Sequence, residues 1–217
     1  MTSRVELPPP EESRSARKHR AIVDAATTVF LNKGYLGASM DEIAALAAVS
    51  KKTVYNHFAD KERLFSEIVV AATDEVDAIV RQVADTLGGS TDLRRALNAL
   101  ARGLLAAVTQ PRLLRMRRLI IASADRFPDL GRIWYERGFE RVLVTLATSF
   151  RQHADNGDLH LDDPLRAAHH FAGLLLWIPM NKVMFCGDAE VDSKAELDRN
   201  ARAAVDAFLL AYAPRPS

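Results

Sequence analysis

The sequence predicts an all-α protein of about nine helices, in which a small three-helix unit is followed by a larger helical domain. Three observations carry that expectation. Between Ser39 and Phe58 two short segments, each with a small apolar face, flank a break of a few residues, which is the spacing of a helix-turn-helix. From Phe65 to Leu87 apolar residues recur every three or four positions, as on one face of a helix. Farther on, Phe171–Ile178 is apolar on every side, which suits only a helix covered both by its own domain and by something else. The expected division is a disordered arm over 1–13, the small unit over 14–61 and the larger domain over 62–217.

Composition sets the outer limits. With 48% hydrophobic residues in 217, the chain can bury a core in one large domain or two smaller ones. The single cysteine, Cys186, excludes an internal disulfide framework. No apolar run approaches the roughly 18 residues needed to span a bilayer, and the first dozen residues lack the apolar core of a signal peptide. A cytoplasmic protein with no membrane partner is the expectation. The net charge is only +1, whereas a sequence-indifferent nucleic-acid binder is usually far more basic. What matters is where the positive charge sits.

Residues 1–13 are rich in Pro and Glu and are expected to be disordered. Ser13–Arg20 then places four positive charges before and within the first helix, either to meet phosphate or as a solubilising tail. That helix carries Ile22, Ala25, Ala26, Val29 and Phe30 at helical spacing and stops at Gly34. Ser39 caps the second helix, and Glu42 is placed to complete a capping box. Ser50 caps the third, whose Val54 and Phe58 face inward while Lys51, Lys52, Tyr55, Asn56 and His57 face outward. Little apolar surface remains there to pack on a core. Lysine can reach guanine O6 and N7 or phosphate, asparagine can pair with adenine N6 and N7, and Thr53 can touch a phosphate or a thymine methyl. The competing reading is an ordinary solvated helix of an α-bundle.

Gly34-Tyr35, Ser39–Ala44, Val49–Lys51, Val54–Phe58, Lys61-Glu62 and Leu64-Phe65 together resemble the TetR-type transcriptional regulators, over roughly residues 15 to 70. The resemblance implies a helix-turn-helix domain that binds double-stranded DNA and a larger domain that binds a small-molecule effector and forms a homodimer. It implies DNA contacts at Ser39, Lys51, Lys52, Thr53, Tyr55, Asn56 and His57, with Tyr55 and His57 chiefly on phosphates, and a backbone contact from Lys61. Ala48 departs from the pattern, since the family commonly has glycine in that turn. If the turn needs a left-handed residue, alanine costs about 1 kcal/mol.

A fourth helix is expected from Asp60–Lys61 to Leu87, with Phe65, Val69, Ala72, Val76, Ile79, Val83 and Leu87 in one stripe, until Gly88-Gly89-Ser90-Thr91 breaks the chain. A fifth covers Asp92–Val108, and a sixth starts at Pro111. Arg126–Leu130 marks a corner, and a seventh helix follows to about Ala154. The segment Leu119–Phe150 is similar to the corresponding part of the AcrR-type repressors, which implies a sensor domain. His153, Asp155, Asp158, His160, Asp162 and Asp163 cluster in sequence, but they lack the i, i+4 repeat of a zinc-binding helix and read as a solvated loop. No metal or cofactor is expected. An enzyme with an appended helix-turn-helix has no nucleophile elbow, phosphate loop or cysteine pair to rest on.

Pro179 is expected to end or kink the eighth helix, and a ninth covers about Ser193–Ala213. Phe171, Leu175, Ile178, Leu197, Ala201, Ala204, Phe208 and Tyr212 are the expected dimer seam, the alternative being the core of a monomer. Met116, Phe127, Trp134, Phe139 and Trp177 are candidate effector-pocket walls, or plain core. The expected function is ligand-controlled repression at a palindromic operator, the recognition helices of a dimer lying about 34 Å apart. A ligand-independent architectural DNA-binding dimer is the remaining alternative.

Overall fold

The structure is a computed structural model that describes residues 13–74, 76–88, 90–187 and 190–214, without the side chain of residue 77. The expected arm over 1–13 lies outside them except for Ser13. The fold is all-α, and the chain divides into two compact units, one ending at Ile68 and the other beginning at Val69.

In the first unit, α1 (Arg14–Gly37) opens at Ser13, whose hydroxyl accepts from the Ala16 N–H at 3.1 Å. Gly34, at φ 71°, interrupts the helical backbone where the sequence places the stop, a conformation that costs glycine no Cβ clash. α2 (Met40–Leu46) is capped by the Ser39 hydroxyl, 3.2 Å from the Glu42 N–H. The expected capping box is only half formed, because the Glu42 carboxylate turns to Lys33 Nζ at 2.7 Å. α2 ends in a Schellman motif: the Val49 N–H reaches Ala44 O at 3.1 Å and the Ala48 N–H reaches Ala45 O at 3.2 Å. The left-handed residue this needs is Ala48, at φ 52°, the only non-glycine with positive φ among the described residues.

α3 (Lys51–His57) follows, capped by Ser50. Ile22, Val29 and Phe30 of α1, Ile43 of α2, Val54 and Phe58 around α3, and Leu64 and Phe65 of α4 (Lys61–Asp74) are almost fully buried. Phe30, Tyr35 and Phe65 meet with ring centroids 5.2 to 5.9 Å apart.

The fourth predicted helix is described as two segments, α4 and α5 (Val76–Leu87), with residue 75 between them outside the described residues. Of its stripe, Phe65, Val69, Ala72, Val76, Val83 and Leu87 are buried and Ile79 is partly buried. The second unit adds α6 (Leu93–Val108), α7 (Pro111–Ser123), α8 (Pro128–Trp134), a π-helical segment (Tyr135–Glu140), α9 (Arg141–Asp155), α10 (Pro164–Cys186) and α11 (Lys194–Tyr212). α8, the π segment and α9 run on without a break, so the single helix expected after the corner at Arg126–Leu130 and ending near Ala154 is present but widened in its middle. Its core joins α5, α6, α9, α10 and α11 around Leu97, Leu100, Phe150, Phe171, Leu175 and Phe208.

Of the two outcomes expected at Pro179, an end or a kink, the end is corrected: the helix runs on to Cys186. Proline removes the N–H that would bond to Leu175 O, and the side-chain amide of Asn200 on α11 donates to that carbonyl instead, at 2.7 Å. His153 is not solvated: only 3% exposed, it holds Leu87 O at 3.1 Å with Nε2 and Asp158 Oδ2 at 2.9 Å with Nδ1. It therefore ties a terminal carbonyl of α5 to the turn at Gly157.

Candidate functional site

The short α3 is anchored from below and open above. Val54 and Phe58, 0% and 1% exposed, anchor it in the core of the first unit, with Phe58 stacked on His19 of α1 at 5.0 Å, while Lys51, Lys52, Tyr55 and Asn56 are exposed. Thr53 is partly buried, its hydroxyl 2.8 Å from that of Ser50, and His57 is partly buried with its ring edge-on to His19 at 5.7 Å. Ser13, Ser15, His19, Arg20 and His57 border one open groove, where the basic first turns of α1 meet the end of α3. Glu67 closes its far side by holding His19 Nε2 at 2.6 Å. A rigid helix with four adjacent polar side chains and no apolar face left over is shaped to enter a major groove.

Two of the expected DNA contacts are engaged elsewhere. Lys51 Nζ lies 2.6 Å from Asp41 Oδ2, an exposed ion pair that must open before Lys51 can reach a base. Lys61 donates to Tyr35 O at 2.8 Å and Ala38 O at 2.9 Å and sits 4.5 Å from the Tyr35 ring centre. These bonds direct the Lys61 ammonium into the corner between α1 and α2. Ser39 acts as the cap of α2.

The second unit contains a cavity of about 70 Å³ between α5, α6, α7, α8, the π segment, α9 and α10. Of the five expected wall residues, Trp134 and Phe139 line it. Met116 and Phe127 are buried elsewhere, and Trp177 is 71% exposed. The remaining walls are mostly aliphatic, from Val76 and Ile79 to Leu175 and Leu176. One charged residue joins them, Arg117, which burial holds below the ordinary arginine range. Its place was legible in part: Leu113, Arg117 and Ile120 share one helical face, so the arginine occupies an apolar register. Large aromatics drew the sequence reading away from it.

Most of the residues expected in a dimer seam lie within the fold of this chain. Phe171, Leu175, Ala201, Ala204 and Phe208 are at most 4% exposed because the chain's own core already encloses them. Leu197 and Tyr212 pack partly buried against that core, and only Ile178 of the set is well exposed. The apolar surface that α10 turns outward is instead Leu174, Trp177, Ile178 and Phe185. Among the described residues no group of His, Cys, Asp or Glu is arranged to hold a metal ion. No helix is long and apolar enough to cross a membrane among them.

Known proteins share both units. Residues 22–68 match the bacterial regulatory proteins of the tetR family, and residues 95–214 match the C-terminal domain of AefR-like transcriptional repressors. The chain belongs to the TetR family of transcriptional regulators. A crystal structure of a chain from Mesorhizobium loti assigned to that family superposes with a TM-score of 0.85, is 50% identical, and covers 94% of this chain and all of that one. The flavonoid-responsive regulator FrrA is 30% identical with a TM-score of 0.70, over 92% of this chain and 99% of its own. The DNA-binding transcriptional repressor TetR of Mycobacteroides abscessus is 34% identical over 159 residues, 72% of this chain and 68% of that protein. The HTH-type transcriptional activator FasR of Mycolicibacterium smegmatis is 38% identical over 86 residues, and this chain spans only 37% of its length. As a TetR-family member, this protein is a DNA-binding regulator and not an enzyme.

Proposed function

We propose that the protein is a repressor that binds a palindromic operator as a homodimer and is released by a small apolar or amphipathic effector. The observation that carries the DNA half is α3, whose Lys51, Lys52, Tyr55 and Asn56 stand clear of a helix pinned by Val54 and Phe58. Lys51 and Asn56 suit base edges, whereas Lys52, Tyr55 and His57 suit phosphates. A relative that represses and one that activates are both similar to this chain. Repression is favoured because the relative that covers more of both chains is a repressor.

The effector half rests on the apolar cavity, and FrrA, flavonoid-responsive by its name, supports a small-molecule signal. The AcrR-type resemblance over Leu119–Phe150 belongs to the same proposal. α4 has residues in both units and is the covalent path along which occupancy of the cavity would favour a state unfit for the operator. The seam is assigned to Leu174, Trp177, Ile178 and Phe185 of α10, an apolar row that a second copy would cover.

The test begins with selection of a preferred duplex from a random pool, followed by sedimentation and operator titration of the native protein and Trp177→Asp. The native protein should sediment as a dimer and bind a two-fold symmetric site. The variant should be a monomer and lose affinity. A native monomer that binds the selected duplex at full strength refutes the dimeric reading.

A further inference from the structure

The cavity in the second unit is built of apolar side chains around one cation. Arg117 carries five N–H donors that point only where a rigid fork allows. Its hydrogen bond among the described residues goes from Nη1 to the thioether sulfur of Met180 at 3.6 Å, a weak acceptor. No acidic side chain is among the described residues that line the cavity. Burial is what lowers this guanidinium, with no carboxylate offsetting it. A partly buried charge held against apolar walls is costly unless an anion pairs with it.

The walls add a second constraint. A cavity of roughly 150 Å³ holds a benzene molecule, and this one measures about 70 Å³. Any occupant larger than a few atoms must part the walls. One wall is the π-helical stretch Tyr135–Glu140, which sets Gly138 and Phe139 into the cavity. A π-helical insertion is a frequent mark of a functional site inside a longer helix.

We infer that the cavity takes a small carboxylic acid with an apolar body, its carboxylate paired with the Arg117 guanidinium and its tail among Leu104, Trp134, Phe139 and Leu176. A carboxylate matches the guanidinium fork with two parallel N–H···O bonds, and the apolar walls reject a polar or cationic tail. The inference rests on the reading of this cavity as the effector site and names the chemistry it selects.

The test uses the full chain and three probes of equal length: hexanoate, 1-hexanol and hexylamine. Each is titrated by ligand-observed NMR against the native protein, Arg117→Met and Arg117→Lys, with folding checked by circular dichroism. Operator affinity is then measured with and without each probe. Hexanoate should bind the native protein at least about tenfold tighter than hexanol, as a charge-assisted pair implies, and hexylamine should bind weakest. Arg117→Met should bring hexanoate down to hexanol, and Arg117→Lys should keep part of the preference.

Equal affinity for hexanoate and hexanol in the native protein overturns the inference, and that comparison needs no variant. So does a hexanoate preference that survives in Arg117→Met, or failure of all three probes to bind. If hexanol and hexanoate bind alike and shift operator affinity alike, the effector reading stands and the carboxylate assignment falls. If hexanoate binds through Arg117 yet leaves operator affinity unchanged, the assignment stands and the effector reading falls.

Discussion

The proline inside α10 offers a sharp test of how this core is held. Leu175 is fully buried, so its carbonyl has little access to water, and Pro179 cannot supply the usual helical N–H. Asn200 of α11 supplies one at 2.7 Å. Removing the amide in Asn200→Ala should leave that carbonyl without its donor, at a cost of about 1–3 kcal/mol. Because Asn200 is itself only partly buried, water can enter and the lower half of that range is expected. In Pro179→Ala the residue regains its N–H and bonds to Leu175 O within the helix. Asn200→Ala made in that background should then cost much less.

The expected coupling between the two positions is about 1 kcal/mol, well above the roughly 0.3–0.5 kcal/mol scatter of independent sites. The coupling carries the test, since Pro179→Ala alone mixes helix relief, lost apolar contact and a freer unfolded chain. The assay is urea unfolding at one protein concentration, followed by tryptophan fluorescence. Both tryptophans, Trp134 and Trp177, lie in the second unit, so the signal reports on it alone. Equal costs of Asn200→Ala in the two backgrounds would refute the claim that Asn200 substitutes for the missing proline donor.

Four further outcomes are expected. Ala48→Gly should stabilise the first unit by up to about 1 kcal/mol, because relief of a φ of 52° slightly outweighs the added flexibility of glycine; a fall in thermal midpoint would contradict it. Lys61→Met should destabilise that unit by about 1–3 kcal/mol, since Tyr35 O and Ala38 O lose their donor, and should leave the salt slope of operator binding unchanged. A slope reduced by roughly one unit would instead make Lys61 a phosphate contact. Lys51→Ala should cost about 1–3 kcal/mol on the cognate operator and relax preference at one base pair, while Asp41→Asn, by freeing Lys51, should tighten binding; an equal loss on every duplex for Lys51→Ala would reassign it to phosphate. Finally, the Ser193 hydroxyl and N–H hold the Glu196 carboxyl below its ordinary value, so the capping box stabilises above the ordinary glutamate range and is lost as pH falls through the lowered value. The stability gap between the native protein and Ser193→Ala should be constant near neutrality and narrow in acid to what the hydroxyl contributes as acceptor of the Glu196 N–H, and a gap that widens in acid would reverse the sign.

Periodicity and capping chemistry are local, so the sequence alone determined the helices, the stop at Gly34, the caps at Ser39 and Ser50, and the inward roles of Val54 and Phe58. It also determined that α3 would present its polar side chains outward, because the apolar positions of so short a helix leave no other face. The strain at Ala48 was visible for the same reason, as one residue in one turn. Tertiary structure decided everything that depends on which surfaces meet. A helix apolar on all sides cannot declare which side faces its own core, so Phe171, Leu175 and Phe208 went inside while Trp177 and Phe185 remained outside. Pro179 stays within its helix because a donor reaches Leu175 O from Asn200 on another helix, 25 residues from Leu175 in sequence. Lys61 turns inward toward two carbonyls, and Arg117 enters an apolar cavity, because a long side chain reaches whatever the packing of neighbouring helices leaves within its length.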